Sequence, residues 1–170
     1  RIKYVSTAGN DTNDGDTPSS AYATIYKALT TGAENIYIAN GEYTEAVQSI
    51  YSSYLYKNVN IVADNATLRT DGAISFRYAN VNISGLNIII ENPSSPTASG
   101  ILLLNCTGTI TDCSVDGAPG DGCFRINGSK ITLIRCIATN GSIDGFNGHR
   151  STEGNETECT LIDCIAHDCG

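Results

Sequence analysis

Basic side chains are scarce in this chain: ten Lys and Arg stand against eighteen Asp and Glu, for a formal net charge of −8. A surface of that sign repels phosphodiester backbones and anionic lipid headgroups, which disfavours nucleic acid and acidic membranes as partners. Long apolar runs are missing as well, and none approaches the ~18 residues of a membrane-spanning helix. Cysteine pairs with only two or three residues between them, as in many structural zinc sites, are lacking too. The seven cysteines are an odd number, so at least one has no partner within the chain. Arg1 is not a native start and Gly170 closes a strand unit. The expectation is therefore an N-terminal piece of a longer protein that continues beyond residue 170.

What the sequence has instead is a unit that returns. Gly108-Thr-Ile-Thr-Asp-Cys-Ser-Val-Asp-Gly117 comes back as Ile131-Thr-Leu-Ile-Arg-Cys-Ile-Ala-Thr-Asn-Gly141 and as Cys159-Thr-Leu-Ile-Asp-Cys-Ile-Ala-His-Asp-Cys-Gly170. Looser copies are Val81-Asn-Ile-Ser-Gly-Leu-Asn-Ile88 and Val59-Asn-Ile-Val62. Aligning Ile61, Ile83, Ile110, Leu133 and Leu161 gives steps of 22, 27, 23 and 28 residues, a solenoid period. Leucine-rich repeats share that period, but their Leu-rich consensus, Asn column and helical return segments are absent. Short β-branched strands returning through Gly, Asn and Asp turns argue for a parallel β-helix.

A second register interlocks with the first. Asp71-Gly72, Ser99-Gly100, Asp121-Gly122 and Asp144-Gly145 recur at steps of 28, 22 and 23. Two and four residues past the first three glycines come Ile74/Phe76, Leu102/Leu104 and Phe124/Ile126, a period-two pattern that points these side chains inward. Each rung then carries at least two strands, and about six rungs, counting one at Ile36-Tyr-Ile38, make a rod ~29 Å long. Cys113, Cys136 and Cys164 fall in one inward column, and Cys159 falls in the column of Val59, Val81 and Ile131. Parallel Cβ vectors suit a disulfide poorly, so the column reads as a reduced ladder of small apolar side chains, fitting assembly in a reducing compartment.

At the N-terminus, Tyr22, Ile25, Ala28 and Leu29 share one helical face and Gly32 supplies a stop. The expectation is a short amphipathic α-helix within residues 1–35 that covers the open end of the rungs over 36–170. This leading segment resembles that of right-handed parallel β-helix proteins, as in family 9 pectate lyases and many bacteriophage and bacterial surface proteins. The matching residues are Tyr4-Val-Ser, Gly9-Asn-Asp, Asn13-Asp-Gly15, Ala23-Thr-Ile25 with Ala28, and Ile36-Tyr-Ile with Gly41-Glu-Tyr43. The likeness covers about the first 45 residues. It implies an all-β, right-handed, single-stranded parallel β-helix, and no one activity, because such segments precede lyases, epimerases, hydrolases and non-enzymatic spikes alike. The loop Asp11-Thr-Asn-Asp-Gly-Asp16 departs from the EF-hand pattern, with Gly15 one place early and Tyr22 where the bidentate Glu belongs. It reads as an Asx-rich turn, with a cation site as the alternative.

Two charged columns follow from the registers. Asp112, Arg135 and Asp163 are equivalent corner positions and form an ion-pair ladder of little energetic weight at a wet surface. Asp121 and Asp144 fall on successive rungs with no cation between them. Carboxylates ~5 Å apart repel unless screened, protonated or bridged. Calcium, the one cofactor the pattern offers, is the natural bridge; the plain alternative is that each Asp sets up its Asp-Gly turn. The segment Asp144-Gly-Phe-Asn-Gly-His-Arg150 disturbs the register, since it would bury Asn147 and His149 where Phe124 and Ile126 sit below, at a cost. A one-residue slip turns Phe146 inward and His149 outward.

Asp121, Arg125, Asp144, His149 and Arg150 then share one lateral face. Asp121, Arg125, Asp144 and His149 are the candidate ligand-binding residues, and His149, Arg150 and Arg125 the candidate catalytic ones. Cations to bind and acidify a carboxylated sugar, with a His or Arg to move a proton, are the ingredients of uronate chemistry. The segment also resembles the Asp-Gly-Phe…His stretches of some β-helix polysaccharide epimerases, with different residues between. The lysine base and aspartate-rich calcium site of family 9 lyases find no counterpart, since Lys130 lies in a turn without matched neighbours. Three functions compete. The first is a rod of a phage tail spike or extracellular surface protein, at the virion or cell surface, homotrimeric and facing a polysaccharide or host glycan. The second is a lyase, epimerase or hydrolase of a uronate-containing glycan, and the third a purely structural spacer. The first is the reading taken forward, because a fold of this kind hosts all three and no complete catalytic set is visible.

Overall fold

A computed structural model describes residues 2–46 and 58–170 together with the backbone of 51–52. A leading strand β1 (Ile2–Val5) and a short helix α1 (Ile25–Thr30) precede the rungs. The first rung is β2 (Asn35–Ile38), β3 (Glu42–Glu45) and β4 (Tyr51–Ser52). The second is β5 (Asn58–Thr70) with β6 (Ile74–Arg77), and the third β7 (Asn80–Ile90) with β8 (Ile101–Leu104). The fourth is β9 (Thr107–Thr111), β10 (Ser114–Asp116) and β11 (Phe124–Asn127), and the fifth β12 (Lys130–Ile134), β13 (Ile137–Thr139) and β14 (Phe146–His149). Strands β15 (Glu158–Ile162) and β16 (Ile165–His167) begin a sixth. Every pairing between rungs is parallel. The molecule is a parallel β-helix with three strand faces per turn, of which β5 and β7 each run through two. Lys130 opens a strand rather than lying in a turn, and its ammonium pairs with Glu158 one rung on at 2.7 Å.

The corners explain why Asn, Asp and Gly recur. At the first, Asn65, Gly85, Asp112, Arg135 and Asp163 all adopt positive φ, between 49° and 71°. Tyr78, Asn105 and Gly128 do so at the corner after the third face, and Gly117, Asn140 and Asp168 at the one after the second. A single left-handed residue turns the chain between strands, and Gly, Asn and Asp enter that region at least cost. At Gly85 a Cβ would stand 2.2 Å from the Ala63 carbonyl oxygen.

Five of the seven cysteines, 106, 113, 136, 164 and 169, directly follow a left-handed residue. Each thiol donates to the carbonyl two residues back, as Cys106 does to Leu104 at 3.3 Å and Cys113 to Thr111 at 3.3 Å. Ser129 does the same to Asn127 at 2.9 Å. The corner thus selects a small side chain with one donor and little polarity. The ladder expected from sequence is present: Cys113 and Cys136 are buried above Ala66 and Leu86, with Cys164 half-buried, and Cys159 continues the column of Val59, Val81 and Ile131.

Inward columns of Ile61, Ile83, Ile110 and Leu133, and of Ile88, Val115 and Ala138, are fully buried. On the third face the inward pairs are Ile74/Phe76, Ile101/Leu103 and Phe124/Ile126. This corrects the expectation that Leu102 and Leu104 point inward. The run Ile101-Leu-Leu-Leu104 is apolar at every position, so its period carries no phase, and pairing with Ile74 and Phe124 sets it. At the other end Ile25, Ala28 and Leu29 of α1 are buried, and Gly32, at φ 74°, donates to the Leu29 carbonyl. The helix N-terminus is held from the first rung: the Glu45 carboxylate accepts from Ile25 N at 2.7 Å and Tyr26 N at 2.9 Å.

Candidate functional site

The unequal repeat steps locate the site. The second rung passes from Thr70 to Ile74 directly, whereas the third takes residues 91–100 to travel from Ile90 to Ile101. After the third face the chain turns through 78–79, 105–106 and 128–129 in successive rungs, but through 150–157 after β14. These two insertions lie on opposite sides of the same sheet, β4-β6-β8-β11-β14, and wall a cleft over its outer surface. Insertions that gather on one face of a solenoid are the usual way it builds a binding surface.

Both walls are anchored. Ser94 donates from its backbone N at 3.0 Å to the Asp71 carbonyl, and Gly120 N donates to Ala98 O at 2.9 Å. In the second wall Glu153 accepts from the Tyr78 hydroxyl and, at 3.0 Å, from Asn105 Nδ2. Asn155 Nδ2 donates to Asn105 Oδ1 at 2.9 Å, and Thr157 Oγ1 accepts from Gly128 N at 2.7 Å. Between the walls the outward side chains form two columns: Ser75, Leu102, Arg125 and Asn147, then Arg77, Leu104, Asn127 and His149.

The cleft has two contiguous parts that share Leu102 and Arg125. One, of about 250 Å³, is lined by hydroxyl groups from Ser75, Ser94, Ser95, Thr97 and Ser99. The other, of about 440 Å³, is lined by Arg77, Asp121, Asn127, His149, Arg150 and Glu153 among others. Arg125 divides them, its Nη1 3.0 Å from the Asp121 carboxylate. Arg150 pairs with Glu156 on the insertion. Both carboxylates on the cleft serve as acceptors, Asp121 for Arg125 and Glu153 for Tyr78 and Asn105.

Four of the five residues singled out from sequence, Asp121, Arg125, His149 and Arg150, therefore meet in one cleft. Asp144 does not line it; its carboxylate accepts from Asn147 Nδ2 at 2.5 Å. The one-residue slip is what joins the others. Phe124 pairs with Phe146, their rings stacked with centroids 5.0 Å apart, which leaves Asn147 and His149 on the outer face. Keeping the aromatic ring in the core outweighs preserving the Asp-Gly alignment. The two carboxylates are engaged separately, Asp121 by Arg125 and Asp144 by Asn147. Among the described residues no cluster of three or more His, Cys, Asp or Glu groups could hold a metal, and the residues do not fit calcium. The Asp11–Asp16 loop is an Asx-rich turn: the Asp11 carboxylate takes Ala23 N, Thr24 N and the Thr24 hydroxyl, and Asp14 takes Asp16 N. The Asp112–Arg135 pair is bidentate at 2.6 and 2.7 Å, and the guanidinium holds the Asp112 carboxyl below its ordinary value.

Sequence reasoning passed over Arg77, Tyr78, Asn127 and Glu153. The outward column of Arg77 was legible once the third face was in phase, and the wall was announced by the 28-residue step from Leu133 to Leu161.

Fold and cleft together define the class, a parallel β-helix with one walled lateral face. A family model described as a protein of unknown function (DUF1565), a family associated with β-helix proteins, matches residues 7–84, from the leading segment into β7. No curated protein and no solved structure matches the chain. The comparisons support the likeness to β-helix proteins and not to family 9 pectate lyases in particular.

Proposed function

We propose that this protein is a β-helix rod that binds polysaccharide along the outer face of β6, β8, β11 and β14, as part of a homotrimeric phage tail spike or extracellular surface protein. One observation carries the reading: the two insertions of the repeat enclose the same sheet face. That face offers planar polar groups and hydroxyls above an apolar floor of Leu102 and Leu104, the mixture that grips the hydroxyl edges and C–H faces of sugars. The test replaces residues 150–157 with a Gly-Ser corner like Gly128-Ser129, and measures polysaccharide binding by calorimetry. The shortened variant should melt as the parent does and lose binding. Retained binding would end the reading. Light scattering on the full-length protein checks the trimer, which a clean monomer mass would remove.

A second reading, that the cleft also cleaves or epimerises a uronate chain, rests on His149. Its side chain is exposed and lies in the same cleft as Arg125 and Arg150. Incubation with polyuronates should then yield unsaturated or epimerised products, and His149→Ala should abolish them with the fold intact. Absence of product from the parent protein leaves binding alone.

A further inference from the structure

We infer that the polysaccharide is an uncharged one, selected because every arginine and carboxylate lining the cleft is already engaged within the protein. The inference rests on the polysaccharide-binding reading and names the class of glycan. Three guanidiniums line the cleft, those of Arg77, Arg125 and Arg150, and two carboxylates, those of Asp121 and Glu153. Arg125 is paired with Asp121 at 3.0 Å, and Arg150 with Glu156 of the second wall. Glu153 accepts from Tyr78 and Asn105, and Arg77 is not free either. With Glu156 counted, three positive groups stand against three negative ones, so the cleft carries no net formal charge on a chain of net charge −8.

An acidic sugar gains little from such a surface. Its carboxylate can claim the Arg125 or Arg150 guanidinium only by displacing Asp121 or Glu156. Each of these is tethered close to its partner in the chain and stays beside the newcomer as a like charge. A neutral sugar meets no such conflict. Leu102 and Leu104 give it an apolar floor of half-buried side chains, and Ser94, Ser95 and Thr97 of the first wall give it hydroxyls. Ser95 and Thr97 share one hydrogen bond at 2.9 Å, which leaves each oxygen with lone pairs for a sugar hydroxyl. Sugar hydroxyls exchange hydrogen bonds with such a wall without either side giving up the hydration of a charge. The same pairing opposes a uronate substrate.

Calorimetric titration tests this with oligogalacturonate and its fully methyl-esterified form, one backbone with and without charge. Dextran and cello-oligosaccharides serve as further neutral probes and hyaluronan as a further acidic one. Neutral probes should be the ones that bind, and the ester should bind at least about tenfold tighter than the acid. Affinity for a neutral probe should not change between about 0.05 M and about 0.5 M salt. Thr97→Val, on the exposed wall, should weaken it several-fold. Asp121→Asn combined with Glu156→Gln removes the carboxylates that hold Arg125 and Arg150, and should raise affinity for oligogalacturonate by at least about tenfold. Tighter binding of an acidic probe than of any neutral one, an affinity that varies with salt, or no gain in the double variant would overturn the neutral class and leave the polysaccharide reading standing. A polysaccharide outside this set is read by its own charge and the same salt series. Binding of no polysaccharide at all would overturn both.

Discussion

The cysteines are where a single residue's environment is best defined. Cys106 sits after left-handed Asn105 and donates to a carbonyl, and Ser129 does the same one rung later. Cys106→Ser should therefore melt close to the parent. Cys106→Val, although more apolar, should lose about 1 kcal/mol with the donor, as read by chemical denaturation. Burial pushes the Cys113 thiol up to about 12, and the Cys123 and Cys136 thiols up to about 11. A pKa raised on folding contributes stability that is full below the ordinary thiol value near 9 and lost as pH rises through the folded values. Melting temperature should thus fall between pH 9 and 11, and fall less steeply in the triple Cys113, Cys123 and Cys136 to Ala variant. Equal slopes would show that these thiols do not carry the alkaline sensitivity.

At the scale of elements, strand and corner are set by close approach. Gly108 opens the inward side of β9 at φ 134°, and a Cβ there would lie 1.9 Å from the Val81 carbonyl oxygen in the rung below. Gly108→Ala should cost about 2 kcal/mol or more, since neither backbone can yield without breaking its pairing. The corner at Arg135 offers the opposite contrast. Its φ of 49° suits Asn, and its bond to Asp112 is exposed. Arg135→Asn should leave the melting temperature within scatter, while Arg135→Val, β-branched in a left-handed conformation, should lower it measurably. Thr24 caps α1 by accepting from Lys27 N, and Glu45 from the first rung holds the first two N–H groups, so Glu45→Ala should loosen the leading segment, read as faster amide exchange at Ile25 and Tyr26.

For the whole molecule, the repeat does two things at once. Its regular part stacks columns that tolerate only small departures. Its irregular part, the insertions at 91–100 and 150–157, adds little to the core beyond Ala98 and builds the walls of the cleft. If the cleft binds polysaccharide as proposed, stability and binding are carried by different residues. Variants of the walls should change affinity with little change in melting, and variants of the columns the reverse.

What the sequence by itself determined is the solenoid. Repeat spacing, the inward column of Cys113, Cys136 and Cys164, and the amphipathic helix before the first rung were all legible, because a strand's period and a turn's need for Asn, Asp or Gly are local properties. The candidate residues Asp121, Arg125, His149 and Arg150 were legible as an anomaly. Phase was not. Whether Leu102 or Leu103 faces the core, and whether Asp144 stands over Asp121, depend on which residue of one rung pairs with which of the next. An apolar run such as Ile101–Leu104 fits either way, and a segment holding both Phe146 and His149 is settled only when the ring finds Phe124 beneath it. Tertiary stacking made that choice, and with it the composition of the cleft.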